Sequence, residues 1–166
     1  MKLTVSIPKE FLKGVYRSTY KISDLKKMNY QNVVIDADAI TTCVEYKLFP
    51  LLKNWVMTPH AGELSRVLGI PSDKIEQDRI SACEKAAELA GCHVLLKGYR
   101  SVLADDKRAL IILSGNSALA KAGTGDVLTG MITGLLAQHV PVVQATATAA
   151  YLHGRLADEW VKLGGD

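Results

Sequence analysis

The chain has 166 residues, 48% hydrophobic and 22% charged, which is enough for one domain with a buried core and excludes a fibrous or low-complexity protein. No apolar run approaches the ~18 residues that span a bilayer, and the opening MKLTVSIPKEF carries no apolar leader core, so neither a membrane span nor export is expected. The net charge of +3 is uneven: residues 1–30 hold seven Lys/Arg against two acids, the remainder 13 against 15. No nucleic-acid motif accompanies the basic stretch, so a solvated face or one meeting a phosphate-bearing ligand is expected, not a nucleic acid. Cys43, Cys83 and Cys92 are odd in number and have no C-x-x-C spacing. They argue against a disulfide framework or a zinc site and fit a reducing cytoplasm.

In chain order, Leu3–Ile7 could form a strand, and residues 8–30 show no strong period. Residues 1–30 therefore read as an atypical basic lead and 31–166 as the domain proper. Asn32–Ile35 reads as a buried strand ending at Asp36-Ala37-Asp38, and Asn54–Met57 as a second stopped by Thr58-Pro59. A helix follows through Glu63–Leu68 and closes at Gly69. Pro71-Ser72-Asp73 opens a longer helix to about Ala90, with Ser72 or Asp73 as its N-cap and Gly91 as its stop. Cys92–Leu96 is a third buried strand, ending at Lys97-Gly98. Ser101–Ala104 and Ala109–Leu113 flank the polar turn 105–108 as a β-hairpin. Asp126–Gln138 reads as an apolar helix buried on most sides, and Pro141 starts a last helix to about Leu163. Strands alternating with helices imply βαβ crossovers and a mostly parallel sheet covered on both faces.

In such sheets ligands sit beyond the carboxyl ends of the strands, where several polar clusters fall. The sharpest is Gly123-Thr124-Gly125-Asp126. Two glycines permit a tight turn and close approach of amides to a ligand at a helix N-terminus, which makes an anion site. The amides of Gly123, Thr124 and Gly125 form the candidate anion hole. Asp126 is the candidate base, able to accept a hydroxyl proton as phosphate arrives; the plainer alternative is a helix cap. In the polar cluster Lys97, Gly98, Tyr99, Arg100, Ser101, the ammonium of Lys97 and the hydroxyl of Ser101 are candidates for nucleotide phosphates, or Lys97 is only a solvated strand end. No G-x-x-x-x-G-K-[ST] occurs, so this is not a Walker-type loop. His60 and Glu63 could bind substrate and order a magnesium-bound water, or could simply cap a helix. Asp36, Asp38 and Asn116 could reach a ligand, or serve a cap and a turn. His93 reads as a core histidine, and His139 and His153 as surface or packing residues.

VVIDADAI at 33–40, MTPHAGELSRVLG at 57–69, VLLKG at 94–98, SGNSALAKAGTGDVLTGMITGLLAQ at 114–138 and AAYLHGRLAD at 149–158 together resemble the ADP/ATP-dependent NAD(P)H-hydrate dehydratases. The resemblance covers roughly residues 24–160. It implies a ribokinase-like three-layer α/β/α sandwich and the ADP- or ATP-dependent dehydration of hydrated NADH or NADPH, by phosphorylation of a hydroxyl and loss of phosphate. It places His60 and Asp126 at the hydrated cofactor, and Asp36 and Asn116 stay candidates for the same substrate. Lys97–Ser101 and Gly125 fall at the adenine nucleotide, with magnesium at the phosphates. Ala61, Ser101 and Ser117 depart from frequent family residues. No G-P-G-L-G-like loop precedes Asp36, so the chain reads as the C-terminal portion of the domain, expected to associate with itself or with the missing half. The alternatives are a ribokinase-like kinase of a vitamin-precursor alcohol, and a truncated nucleotide-binding module without turnover.

Overall fold

The computed structural model describes residues 21–105 and 107–165. The possible strand Leu3–Ile7 lies outside these residues. Five strands form one sheet in the order β1 (Val34–Ile35), β2 (Val56–Met57), β3 (His93–Leu96), β4 (Val102–Ala104), β5 (Ala109–Ile111). β1, β2 and β3 are parallel, with Ile35 beside Met57 and Met57 beside Val94. β4 runs antiparallel to β3, and β5 antiparallel to β4. The hairpin thus turns the chain twice and returns β5 to the direction of β1–β3. Its end emerges at the same pole as theirs.

Side chains alternate across a strand, and here the alternation divides two cores. Ile35, Met57, Val94, Leu96, Val102 and Ala104 face one core. It is closed by α1 (Ile22–Lys27), α2 (Asp38–Glu45), α3 (Ala61–Leu68), α4 (Ser72–Gln77) and α5 (Arg79–Ala90). Val34, Val56, Leu95, Leu103 and Ile112 face the other, beneath α6 (Thr124–Leu136) and α7 (Val142–Lys162). These are the three layers the α/β pattern implied, with a sheet that is mixed because of the hairpin. Trp55 is fully buried and donates its indole N–H to the Tyr30 carbonyl at 2.7 Å, which satisfies its one polar atom.

Three expectations are refined. Within the stretch read as a lead, residues 22–27 form α1, whose Ile22 and Leu25 enter the first core. The single helix expected from Pro71 to Ala90 is two helices. The backbone breaks at Asp78 (φ −143°, ψ 76°), whose carboxylate accepts the Ser81 N–H at 3.1 Å and caps α5. Pro71 occupies the N-cap position of α4, and neither Ser72 nor Asp73 does. Finally, α6 is not buried on most sides. Only Leu128, Ile132 and Leu136, four residues apart, are buried, while Val127, Gly130 and Gly134 are exposed. One stripe meets the sheet and the opposite face meets solvent.

The last helix also holds the exit of the hairpin. A Cβ on Gly154 would lie 2.5 Å from Ser114 Oγ and 2.6 Å from its carbonyl carbon, so the loop lies directly on the helix backbone. Ser114 Oγ donates to the Tyr151 carbonyl at 2.8 Å at the same contact. Gly154→Ala should force α7 and this loop apart at a cost of about 1–3 kcal/mol, as overpacking does. A fall in the urea midpoint at unchanged slope would show it; an unchanged midpoint would contradict the contact. The three cysteines are free and buried. Burial pushes the Cys43 and Cys92 thiols up to about 12 and Cys83 to about 11. Raised values mean neutral thiols at mildly alkaline pH, so a disulfide reagent should label none of them until denaturant is added. Rapid native labelling would refute this packing.

Candidate active site

The carboxyl ends of the parallel strands are stitched together before any ligand is considered. The Thr58 amide donates to the Ile35 carbonyl at 2.9 Å and the Lys97 amide to the Pro59 carbonyl at 2.8 Å. The segments after β1, β2 and β3 therefore lie side by side.

On this platform Lys97 Nζ pairs with Asp36 Oδ1 at 2.8 Å, both side chains being largely buried. Thr129 Oγ1, one turn into α6, donates to Asp36 Oδ2 at 2.9 Å. Asp36 thus has a partner at each oxygen, which a buried carboxylate requires. The next residue, Ala37, sits at φ 48°, in the left-handed region that costs a residue with a Cβ on the order of 1 kcal/mol or more. The anchored carboxylate holds the backbone there. Asp38 follows as the exposed first residue of α2 and takes no part in this cluster.

The turn into α6 lies over the same lysine. A Cβ on Gly125 would be 3.6 Å from Lys97 Nζ. Gly123 occupies the N-cap position at φ 85°, a conformation that favours glycine. Thr124 Oγ1 lies 2.8 Å from the Leu119 carbonyl and 2.9 Å from that of Lys121, so its hydroxyl is spent on fixing the turn. The Val127 amide bonds back to Gly123. The Thr124 amide reaches the Lys121 carbonyl at 3.4 Å, while first-turn amides in general lack partners within their own helix. Asp126 falls on this first turn, exposed, and is not the capping residue.

His60 and Glu63 form a capping box at the start of α3. His60 Nδ1 accepts the amides of Gly62 at 3.0 Å and Glu63 at 3.3 Å, while Glu63 Oε2 accepts the His60 amide at 2.8 Å. The imidazole is more than half exposed, and its Nε2 lies 3.6 Å from Glu63 Oε1. Glu63 itself is buried, its Oε2 taken by the cap and its Oε1 3.6 Å from His60 Nε2. Among the described residues no group of three or more His, Cys, Asp or Glu could hold a metal ion.

Gly98 lies at φ 139° at the start of the loop 98–101. Ser101 Oγ donates to the Gly98 carbonyl at 3.0 Å, and the Arg100 guanidinium stacks on the exposed Tyr99 ring at 5.3 Å. Asn116 stands apart from the lysine cluster. Its Oδ1 accepts the Ala118 amide at 3.0 Å and its Nδ2 donates to Asp158 Oδ1 at 3.1 Å. The Gly115 amide donates to the same carboxylate at 3.2 Å. Asp158, Thr129 and Arg79 (Nη2 to the Leu96 and Lys97 carbonyls, 3.2 Å each) were not among the expected site residues. Asp158 ends the last motif of the sequence, which was the one available signal for it.

A family model described as NAD(P)H-hydrate dehydratase matches residues 14–165. The chain is 42% identical over 131 residues to an ADP-dependent (S)-NAD(P)H-hydrate dehydratase of Neisseria meningitidis serogroup B, covering 76% of this chain and 44% of that protein. Its structure is similar to that of an ADP/ATP-dependent NAD(P)H-hydrate dehydratase from Bacillus subtilis co-crystallised with ATP/Mg2+ and soaked with CoA. There the TM-score is 0.67 at 34% identity, over 78% of this chain and 47% of that one. A ribokinase-like superfamily protein from Enterococcus faecalis gives a TM-score of 0.73 at 29% identity, over 85% of this chain and 50% of that one. The chain spans about half, or less, of the length of these relatives. With a ribokinase-like sandwich, a glycine turn over a paired lysine and a family match along nearly its whole length, this chain belongs to the NAD(P)H-hydrate dehydratase family.

Proposed function

We propose that this chain carries the nucleotide-binding and catalytic part of an enzyme that restores hydrated NADH or NADPH to the nicotinamide cofactor at the expense of ADP or ATP. The observation that carries the reading is the placement of an exposed carboxylate, Asp126, one residue from a glycine that rides over the Lys97 ammonium. Lys97 and the first-turn amides of α6 meet the terminal phosphoryl group from one side. Asp126 faces the substrate hydroxyl, orients it and takes its proton as the oxygen–phosphorus bond forms and the nucleotide's terminal phosphoanhydride bond breaks. Phosphate then departs with the carbon–oxygen electron pair, a neighbouring ring proton is lost, and the ring double bond is restored. The outward edge of His60 and the Asn116 loop contact the hydrated cofactor. Magnesium comes with the nucleotide's phosphates, and Glu63 serves as the cap of α3. The free, neutral cysteines suit a cytoplasmic setting.

Association with a second copy or with a polypeptide that completes the substrate pocket belongs to this reading. A second reading is a module that binds adenine nucleotide without turnover. Incubation with ADP, magnesium and hydrated NADH, followed by the near-ultraviolet absorbance of NADH, separates the two. Recovery of absorbance supports the dehydratase. Nucleotide binding by calorimetry with no recovery selects the binding module, and phosphorylation of an alcohol instead selects a kinase. Asp126→Ala should cut turnover by at least ~100-fold and leave nucleotide affinity nearly unchanged. Retained turnover in that variant would remove Asp126 from the mechanism.

A further inference from the structure

The Lys97–Ser101 loop rests on a guanidinium that nothing in the motifs announces. Arg79 is the first residue of α5, and its side chain is largely buried. Its Nη1 lies 2.8 and 2.9 Å from the two carboxylate oxygens of Glu76, which neutralises it and fixes its plane. Its Nη2 donates to the Leu96 and Lys97 carbonyls at 3.2 Å each. These carbonyls lie where β3 gives way to the loop, and in the absence of a donor they would need water or another partner. Gly98 lies flat against the same group. A Cβ there would be 3.0 Å from Nη2, 3.2 Å from Nη1 and 3.4 Å from Cζ. The glycine and the arginine therefore specify one another.

We infer that Arg79 is the positioning residue of the nucleotide loop: it clamps the main chain of Lys97 so that the ammonium reaches Asp36 and the α6 N-terminus, and it sets the entry angle of Gly98–Ser101. The inference rests on the reading of Lys97–Ser101 as the nucleotide site. Arg79 acts through two carbonyls. A lysine could keep the charge but not bridge both carbonyls and Glu76 with one planar fork.

Titration of ADP with magnesium into the full chain by calorimetry, well below the melting temperature, tests it. Arg79→Met should weaken ADP binding by about ten- to hundredfold, as the loss of two charge-assisted hydrogen bonds does, and Arg79→Lys should fall between it and the wild type. Amide hydrogen exchange should accelerate across 98–101 in both variants while α7 stays protected, a pattern that general destabilisation would not give. Where Arg79→Met does not fold, Arg79→Lys alone decides. A folded variant that binds ADP as tightly as the wild type, with unchanged exchange in the loop, overturns the role of Arg79. A wild-type chain that binds no ADP overturns the nucleotide reading itself and the inference with it.

Discussion

The ion pair between Asp36 and Lys97 is the contact on which the candidate site depends. It joins residues 61 positions apart, and Thr129, which completes the carboxylate's shell, lies 93 positions from Asp36. Three elements that share no local sequence, the ends of β1 and β3 and the first turns of α6, are thereby held at one point. Both charged groups are mostly shielded from water, so each is costly without the other. The strained Ala37 backbone and the placement of the glycine turn over the ammonium both follow from where this pair sits.

Around it the supporting contacts are arranged in tiers. Backbone hydrogen bonds from Thr58 to Ile35 and from Lys97 to Pro59 align the strand ends. Side chains from the helices then hold the loops: Asp158 of α7 the Gly115–Asn116 turn, and His60 with Glu63 the start of α3. The first turn of α6 adds the field of its amides, and Asp126 is exposed on that turn. This separation lets one carboxylate be locked for structure while another, also on the α6 side, stays exposed.

Much of this was legible because the signals are local. NVVI and CHVLL are short apolar runs bounded by polar residues, and Gly69 and Gly91 end their helices at φ 66° and 65°. The capping box at His60 is likewise a spacing of three. The break at Asp78 was not legible, since an acid within a helical run does not show whether its side chain turns back to the Ser81 amide. Nor was the open face of α6, because leucine and glycine in alternation fit a buried helix as well as a one-sided one. Arg79 and Asp158 lie 18 and 42 positions from the groups they hold, Lys97 and Asn116, and no local pattern connects them. Helix α1, only six residues long, declares itself by burying Ile22 and Leu25, not by any period.

The double reversal through β4 and β5 has a consequence for how this scaffold can change. Because the chain goes down and comes back, the polar loops of the candidate site gather at one pole, and the turn between Ala104 and Ala109 lies at the other, beside Lys53, α5 and His93. That turn is closed by its own contacts, Asp105 accepting the amides of Lys107 and Arg108. A change in this turn therefore meets α5 and His93 first and reaches the candidate site only through the length of the sheet.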